Sequence, residues 1–169
     1  MPLYAAGQRI RASELNTLPQ TYRVLTDQIC NNDTNYRNAA GLAFPGEVNG
    51  VYLVEGVICY RTGLTPGIKF QWSLPAGVTG WYGLQAVVGT PSGAGGRIAW
   101  MDSSSFVNDF TANFGANGDS TLAQILSPKG VATFGSTAGT LQFRFAQSTA
   151  NASDTKILAG SCLRVTRLA

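Results

Sequence analysis

Apolar and polar residues alternate without interruption over residues 68–74, IKFQWSL. In a β-strand every second side chain points to the same face, so this segment predicts a strand with one apolar face. That face consists of Ile68, Phe70, Trp72 and Leu74. The preceding segment 51–60, VYLVEGVICY, carries apolar side chains on both faces. A strand of that kind is covered on both sides, here by a second sheet or by a neighbouring chain.

A turn separates these two predicted strands. Residues 63–67, GLTPG, place Pro66 and two glycines in the positions that a tight turn favours. The whole stretch from Val51 to Trp81 therefore predicts a β-hairpin at the centre of an all-β domain.

Shorter strand patterns continue through the rest of the chain, separated by Gly-, Pro- and Asn-containing turns. They cover residues 22–27, 42–45, 80–88, 97–101, 106–114, 121–126, 131–134, 140–147, 156–158 and 163–168. Pro45 predicts an edge strand, and Pro128 predicts a break between two strands. Phenylalanines recur every four residues over 106–114, as on a helix face, but the Asn, Asp and Thr residues between them favour a strand.

The number and spacing of these strands define the fold class. Eight to ten short strands with turn signals every eight to twelve residues predict a sandwich or a barrel. Long connections favour a jelly-roll β-sandwich within that class. We assign it to residues 34–169.

Residues 1–33 are interpreted as an N-terminal arm. Ser13 is a suitable N-cap for one brief helix over residues 14–18, and Pro19 ends it. So short a helix is not stable alone and needs another surface to pack on. Several apolar residues, among them Leu3, Ile10 and Leu15, argue against a disordered terminus.

Composition narrows the range of partners. The chain has 169 residues, 44% hydrophobic and 12% charged, with a net charge of +3. So small a charge gives no reason to expect binding to nucleic acid or to a membrane. No apolar run is long enough to span a bilayer, and the first residues do not resemble a signal peptide, so we expect no secretion by that route. The low charged fraction suits a surface partly covered by other subunits.

Catalytic chemistry finds little support in the sequence. The chain contains no histidine, which removes the commonest general base and metal ligand. Of the nine carboxylates, Glu55 and Asp109 are the single pair worth considering for acid–base work, and the others belong to caps, turns and loops. Cys59 and Cys162 fall within strand patterns and are interpreted as small buried apolar residues. We therefore predict no catalytic site, no metal and no cofactor.

Two tryptophans are candidates for a ligand-binding site. Trp81 and Trp100 lie next to loops, and with residues 91–96 and 115–120 they could form an exposed stacking site for a sugar. Large aromatic side chains are more often buried, so a structural role is favoured.

Four segments carry a family resemblance: residues 5–18, AAGQRIRASELNTL; 51–60, VYLVEGVICY; 68–81, IKFQWSLPAGVTGW; and 138–169, AGTLQFRFAQSTANASDTKILAGSCLRVTRLA. The chain resembles small virion proteins of tailed bacteriophages, especially actinobacteriophages. In that family an N-terminal segment precedes a jelly roll similar to those of tumour necrosis factor and C1q. Cys162 departs from the pattern, because a bulkier residue is usual there.

The resemblance implies a homotrimer located in the virion, either a capsid decoration or head-fibre protein or a tail or baseplate protein. The major capsid protein, or tail and baseplate proteins, would then be its partners. The arm would provide the anchor through Arg9, Ile10, Arg11, Leu15 and Leu18. For the trimer interface we expect Tyr52, Tyr60 and Phe145.

Overall fold

The computed structural model describes residues 18–63, 65–88, 97–103, 110–114 and 123–169, with the backbone alone between 86 and 114. This part of the chain contains twelve β-strands and no helix. The strands are β1 (Gln20–Arg23), β2 (Gln28–Cys30), β3 (Arg37–Gly46), β4 (Val51–Arg61), β5 (Ile68–Ser73), β6 (Thr79–Val88), β7 (Arg97–Ser103), β8 (Phe110–Phe114), β9 (Gln124–Thr133), β10 (Gly139–Ala146), β11 (Thr155–Ile157) and β12 (Cys162–Arg167).

Two antiparallel sheets form a sandwich. The larger has eight strands in the order β1-β12-β4-β9-β6-β7, with β11 and β2 continuing beside β4. The smaller has four strands in the order β3-β10-β5-β8. Neighbours in each sheet are mostly distant in sequence, as in a jelly roll. The predicted all-β jelly-roll sandwich is confirmed.

Aromatic side chains from both sheets fill the space between them. Tyr60 of β4 packs edge-on against Phe70 of β5, with ring centroids 5.7 Å apart. Phe143 of β10 continues this cluster and lies 4.9 Å from Trp72. The inward faces that alternation predicted for β5 and β10 are those that the structure buries.

The predicted central hairpin is wrong. β4 pairs with β9, β12 and β11 in the larger sheet, whereas β5 pairs with β10 and β8 in the smaller one. The connection between them is a corner that crosses the sandwich. The Thr62 hydroxyl holds it from inside, donating to the Gly67 carbonyl at 2.9 Å and lying 2.9 Å from the Thr155 hydroxyl. Turn residues alone do not distinguish such a corner from a hairpin.

Pro128 does not separate two strands. It lies within β9, a central strand between β4 and β6. The pairing of β4 with β9 lapses between Glu55 and Ile58, so the missing proline N–H interrupts the ladder only locally. Gly56 makes the exception sterically possible, because a Cβ there would lie 2.6 Å from Pro128 Cγ.

The sandwich begins earlier than the predicted boundary between residues 33 and 34. β1 pairs with β12, and β2 pairs with β11. Val24 and Cys30 are buried in the core. Residues 20–33 therefore belong to the sandwich and not to an arm. The helix predicted over residues 14–18 lies outside the described residues, apart from Leu18 at its end.

Two smaller predictions are confirmed: Pro45 lies in an edge strand, β3, and residues 110–114 form a strand. The prediction for two of the cysteines is wrong. Cys59 and Cys162 are half-buried and point away from the core, on the outer side of the larger sheet.

Candidate interaction surface

The outer face of the larger sheet is rich in apolar side chains. We use this name for the outward side chains of β4, β6, β9 and β12 and of the short β2–β11 pair. Trp81 is 67% exposed, Ile125 47% and Val57 45%. The half-buried apolar members are Val51, Leu53, Cys59, Val131 and Cys162. Large apolar groups grouped in this way mark an interaction surface more often than scattered ones do.

Strand register arranges these side chains in rows across the sheet. Leu53, Val131 and Trp81 are direct neighbours on β4, β9 and β6. Further along β4, Val57 pairs with Cys162, and Cys59 pairs with Ile125. Neighbouring strands lie about 4.8 Å apart, so side chains within each row are in reach of one another. The outer face therefore carries two apolar areas.

A charged row separates the two apolar areas. Glu55 pairs with Arg164 on β12 and with Lys129 on β9. The Lys129 ammonium lies 2.9 Å from the Glu55 carboxylate. An ion pair this exposed adds little to the stability of a single chain. If a partner covered it, the pairing would restrict the positions in which that partner could dock.

The two outward thiols lie close to one another. Cys59 and Cys162 are diagonal neighbours across β4 and β12, because Cys162 pairs with Val57. Burial raises the pKa of the Cys59 thiol, and the nearby Cys162 adds to the rise. At neutral pH the Cys59 side chain is therefore a weakly polar thiol that extends the apolar area.

The opposite surface of the molecule is different. In β3, β5 and β10 of the smaller sheet, none of the outward side chains is a large exposed apolar group. Outward positions there are occupied by Lys69, Gln71 and Ser73 on β5 and by Gln142 and Arg144 on β10. Among the described side chains, the outer face of the larger sheet is thus apolar and that of the smaller sheet is polar.

The residues predicted for the trimer interface lie inside the sandwich. Tyr60 and Phe145 are 0% exposed and Tyr52 is 6% exposed. Their side chains therefore have no surface to offer to another subunit, and this choice of residues is corrected. The apolar side chains on the other face of the same strand, Val51, Leu53, Val57 and Cys59, are half-buried or exposed.

The predicted tryptophan site is described in part. Trp81 is exposed but lies within β6 and not beside a loop. Trp100 pairs with Gln85, four residues along β6 from Trp81, which is about 13 Å along the strand. The Trp100 side chain and residues 91–96 and 115–120 lie outside the described part.

Of the carboxylate pair considered for catalysis, the structure describes one member, Glu55. Glu55 is engaged by Lys129 on the outer face, and Asp109 lies outside the described residues. Across the described residues, no three His, Cys, Asp or Glu side chains form a group that could hold a metal ion. The same residues contain no helix that is long and apolar enough to cross a membrane.

Leu18 is the one predicted anchor residue within the described part, and its side chain is 43% exposed. A groove of about 180 Å³ opens beside it, lined partly by Tyr22, Phe44 and Tyr52. Arg167 and Glu47 also line the groove and form an ion pair at 2.6 Å. Arg9, Ile10, Arg11 and Leu15 lie outside the described residues.

No protein-family model and no curated protein matches the chain. Among solved structures, the chain is similar to the tripod (BppUct-A-L) from the baseplate of bacteriophage Tuc2009, with 10% identity and a TM-score of 0.38 over 99% of this chain and 73% of that one. It is also similar to a chain of infectious bursal disease virus, Gt strain, with 10% identity and a TM-score of 0.23 over 89% of this chain and 41% of that one. For the VP2 subviral particle of infectious bursal disease virus the identity is 9% and the TM-score 0.22, over 100% of this chain and 46% of that one. The chain thus spans less than half the length of the last two.

Proposed function

We propose that this chain is a structural protein of a tailed-bacteriophage virion, a homotrimer that decorates the capsid or forms a head fibre. The apolar outer face of the larger sheet is the observation that carries the proposal. In a single chain, water contacts the side chains of Trp81, Ile125 and Val57. Contact with a second copy would bury these apolar side chains, which is favourable. The resemblance of the four sequence segments supports the phage assignment.

The outer face takes the place of the interface first expected from Tyr52, Tyr60 and Phe145. Its two apolar areas provide the contact, and the row formed by Glu55 with its cationic neighbours restricts the register between subunits. Three copies related by a threefold axis can each present this face to the next copy, which closes the assembly.

Attachment to the virion is assigned to the N-terminal residues Arg9, Ile10, Arg11, Leu15 and Leu18. Deletion of residues 2–17 tests this assignment, because it stops short of β1 at Gln20. We expect the shortened chain to remain a folded trimer that no longer binds purified particles lacking this protein. Binding equal to that of the full chain would contradict the assignment.

A tail or baseplate protein is the alternative within the same class. Its partners would be tail or baseplate proteins in place of the major capsid protein. Electron microscopy of intact particles, with the copy number per particle, decides between them. Hundreds of copies distributed over the head support decoration, and a few to a few dozen at the tail support the alternative.

A receptor- or carbohydrate-binding module is the second candidate, and the exposure of Trp81 favours it specifically. A binding role would require this side chain to stay exposed after assembly. Glycan-array binding by the full chain, lost in Trp81→Ala, is the result expected of that function. Unchanged oligomeric mass in the same variant would separate it from a role of Trp81 in the trimer.

A further inference from the structure

The polar surface of the smaller sheet carries two cations that share one aromatic ring. The Lys69 ammonium lies 4.6 Å from the centroid of the Tyr36 ring. The Arg144 guanidinium carbon lies 5.9 Å from the same centroid. The two positive charges are therefore no further apart than the sum of these distances, on a part of the sheet that faces solvent.

No ion pair within the described residues joins either cation to a carboxylate. The acid that precedes β3, Asp33, is engaged by Arg37 at 2.9 Å. Its pKa is lowered by the hydrogen bond that it accepts from the Asn35 N–H and by the one from Arg37. Within the part of the chain that the structure describes, neither Lys69 nor Arg144 thus has a carboxylate partner, and an anion that contacts both would be attracted by two positive charges.

The geometry of Arg144 leaves donors for such an anion. Its Nη2 donates to the Tyr36 carbonyl at 2.6 Å, and its Nη1 donates weakly to Gln71 at 3.4 Å. Each terminal nitrogen of a guanidinium carries two hydrogens, so each retains a second donor. Two parallel donors of this kind match the two oxygens of a carboxylate.

A groove of about 400 Å³ opens beside Arg144. Its lining includes Gln71, Ser73, Leu74 and Pro75. An amide and a hydroxyl can hydrogen-bond to sugar hydroxyls, and the apolar side chains of Leu74 and Pro75 can pack against sugar C–H groups. The volume falls within the range of small-molecule sites.

We propose that this groove binds a saccharide that carries a carboxylate. The carboxylate lies between Arg144 and Lys69, and the sugar ring occupies the groove along Gln71 and Ser73. The site lies on the opposite side of the sandwich from the apolar outer face. Assembly through that face therefore leaves it open, and it does not depend on the virion assignment.

Titration calorimetry of the full chain tests the proposal with glucuronate, glucose and acetate as probes. We expect saturable binding of glucuronate, with glucose and acetate each at least tenfold weaker. Lys69→Gln and Arg144→Gln should each weaken glucuronate binding about tenfold or more, since each removes a charge-assisted contact. Arg61→Gln, which removes the same charge at the end of β4, should bind like the wild type.

Three outcomes would overturn the proposal: no binding of glucuronate, equal binding by Lys69→Gln and the wild type, or acetate binding as tight as that of glucuronate. The last outcome would indicate an adventitious anion only. Arg144→Gln also loses the hydrogen bond to Tyr36, so its thermal unfolding must be measured. Lys69→Gln loses only one cation–π contact, with the Tyr36 ring, so we expect it to fold. Its glucuronate binding therefore still tests the proposal if Arg144→Gln fails to fold.

Discussion

At the scale of single residues, Gly56 allows β4 and β9 to pack together. A Cβ at this position would lie 2.6 Å from Pro128 Cγ and 2.9 Å from Leu163 Cδ2. Both neighbours belong to strands that are paired on each side, so neither can move far. The proline in a central strand is thus tolerated because a glycine faces it.

Gly56→Ala tests this arrangement. The added methyl group overpacks the space against Pro128, and we expect the free energy of unfolding to fall by about 1–3 kcal/mol. Urea denaturation followed by tryptophan fluorescence measures the change. Ser127→Ala on the outward side of β9 is the control, with no comparable loss. A Gly56→Ala protein as stable as the control would contradict the steric role.

Tyr60 links the core to solution pH. Its hydroxyl donates to the buried Gln124 amide oxygen at 2.7 Å, and burial raises the pKa of the phenol. Because the folded-state pKa is raised, the contribution of Tyr60 is complete below the unfolded value of about 10 and is lost as pH rises beyond it.

We therefore expect the free energy of unfolding to fall with pH above about 10, and more steeply in the wild type than in Tyr60→Phe. The variant should also be less stable at neutral pH by about 1–3 kcal/mol, since it leaves the Gln124 oxygen without its partner. Urea denaturation of the wild type and of Tyr60→Phe at several pH values between 8 and 11 measures both free energies of unfolding. Parallel curves would show that Tyr60 does not titrate on unfolding.

At the scale of elements, alternation predicted the inward faces of β5 and β10 correctly, whereas the turn residues predicted the pairing of β4 incorrectly. The inward residues of β5 and β10 follow from period-two patterns, because each strand has one side in the core. Turn residues gave the wrong partner for β4, since Pro66 and Gly67 serve a corner between sheets as well as a hairpin. The strand break predicted at Pro128 was wrong for a related reason. A proline is tolerated at this position of β9 because Gly56 faces it, and Gly56 lies more than seventy residues earlier in the sequence.

The sequence predicted that β4 needs two covers but not which of its faces lies in the core. The segment 51–60 is apolar on both faces, which indicates two covers. Which face turns inward depends on register with β9 and β12, and these strands lie far away in the sequence. Tyr52 and Tyr60 were expected at the interface, but both are buried in the core, where large aromatic side chains usually lie.

The N-terminal boundary gives a prediction at this scale. Removal of residues 2–17 should leave the melting temperature within a few degrees of the wild type. Removal of residues 2–33 takes away β1, β2 and the buried side chains of Val24 and Cys30, so we expect the sandwich to unfold or to melt at least 10 °C lower. Calorimetry of both deletions decides. Equal melting temperatures of the two deletion variants would contradict the assignment of residues 20–33 to the sandwich.

At the scale of the whole molecule, the two sheets present opposite kinds of surface. The larger sheet has an apolar outer face interrupted by one charged row, and the described part of the smaller sheet has a polar surface with two cations on one aromatic ring. A monomer would leave Trp81, Ile125 and Val57 in water. The proposed self-association through the larger sheet and the proposed ligand groove on the smaller one would account for both surfaces.

Sedimentation equilibrium of the full chain beside two lysine variants tests this account most directly. We expect the wild type to sediment at about three times its 17.8 kDa chain mass. Ile125→Lys on the outer face should sediment at the single-chain mass with an intact β-sheet circular dichroism spectrum, because assembly would bury an unpaired charge. Thr140→Lys, an equal change at an exposed position on the smaller sheet, should keep the wild-type mass. A wild type at 17.8 kDa, or an Ile125→Lys protein that keeps the wild-type mass, would contradict the account.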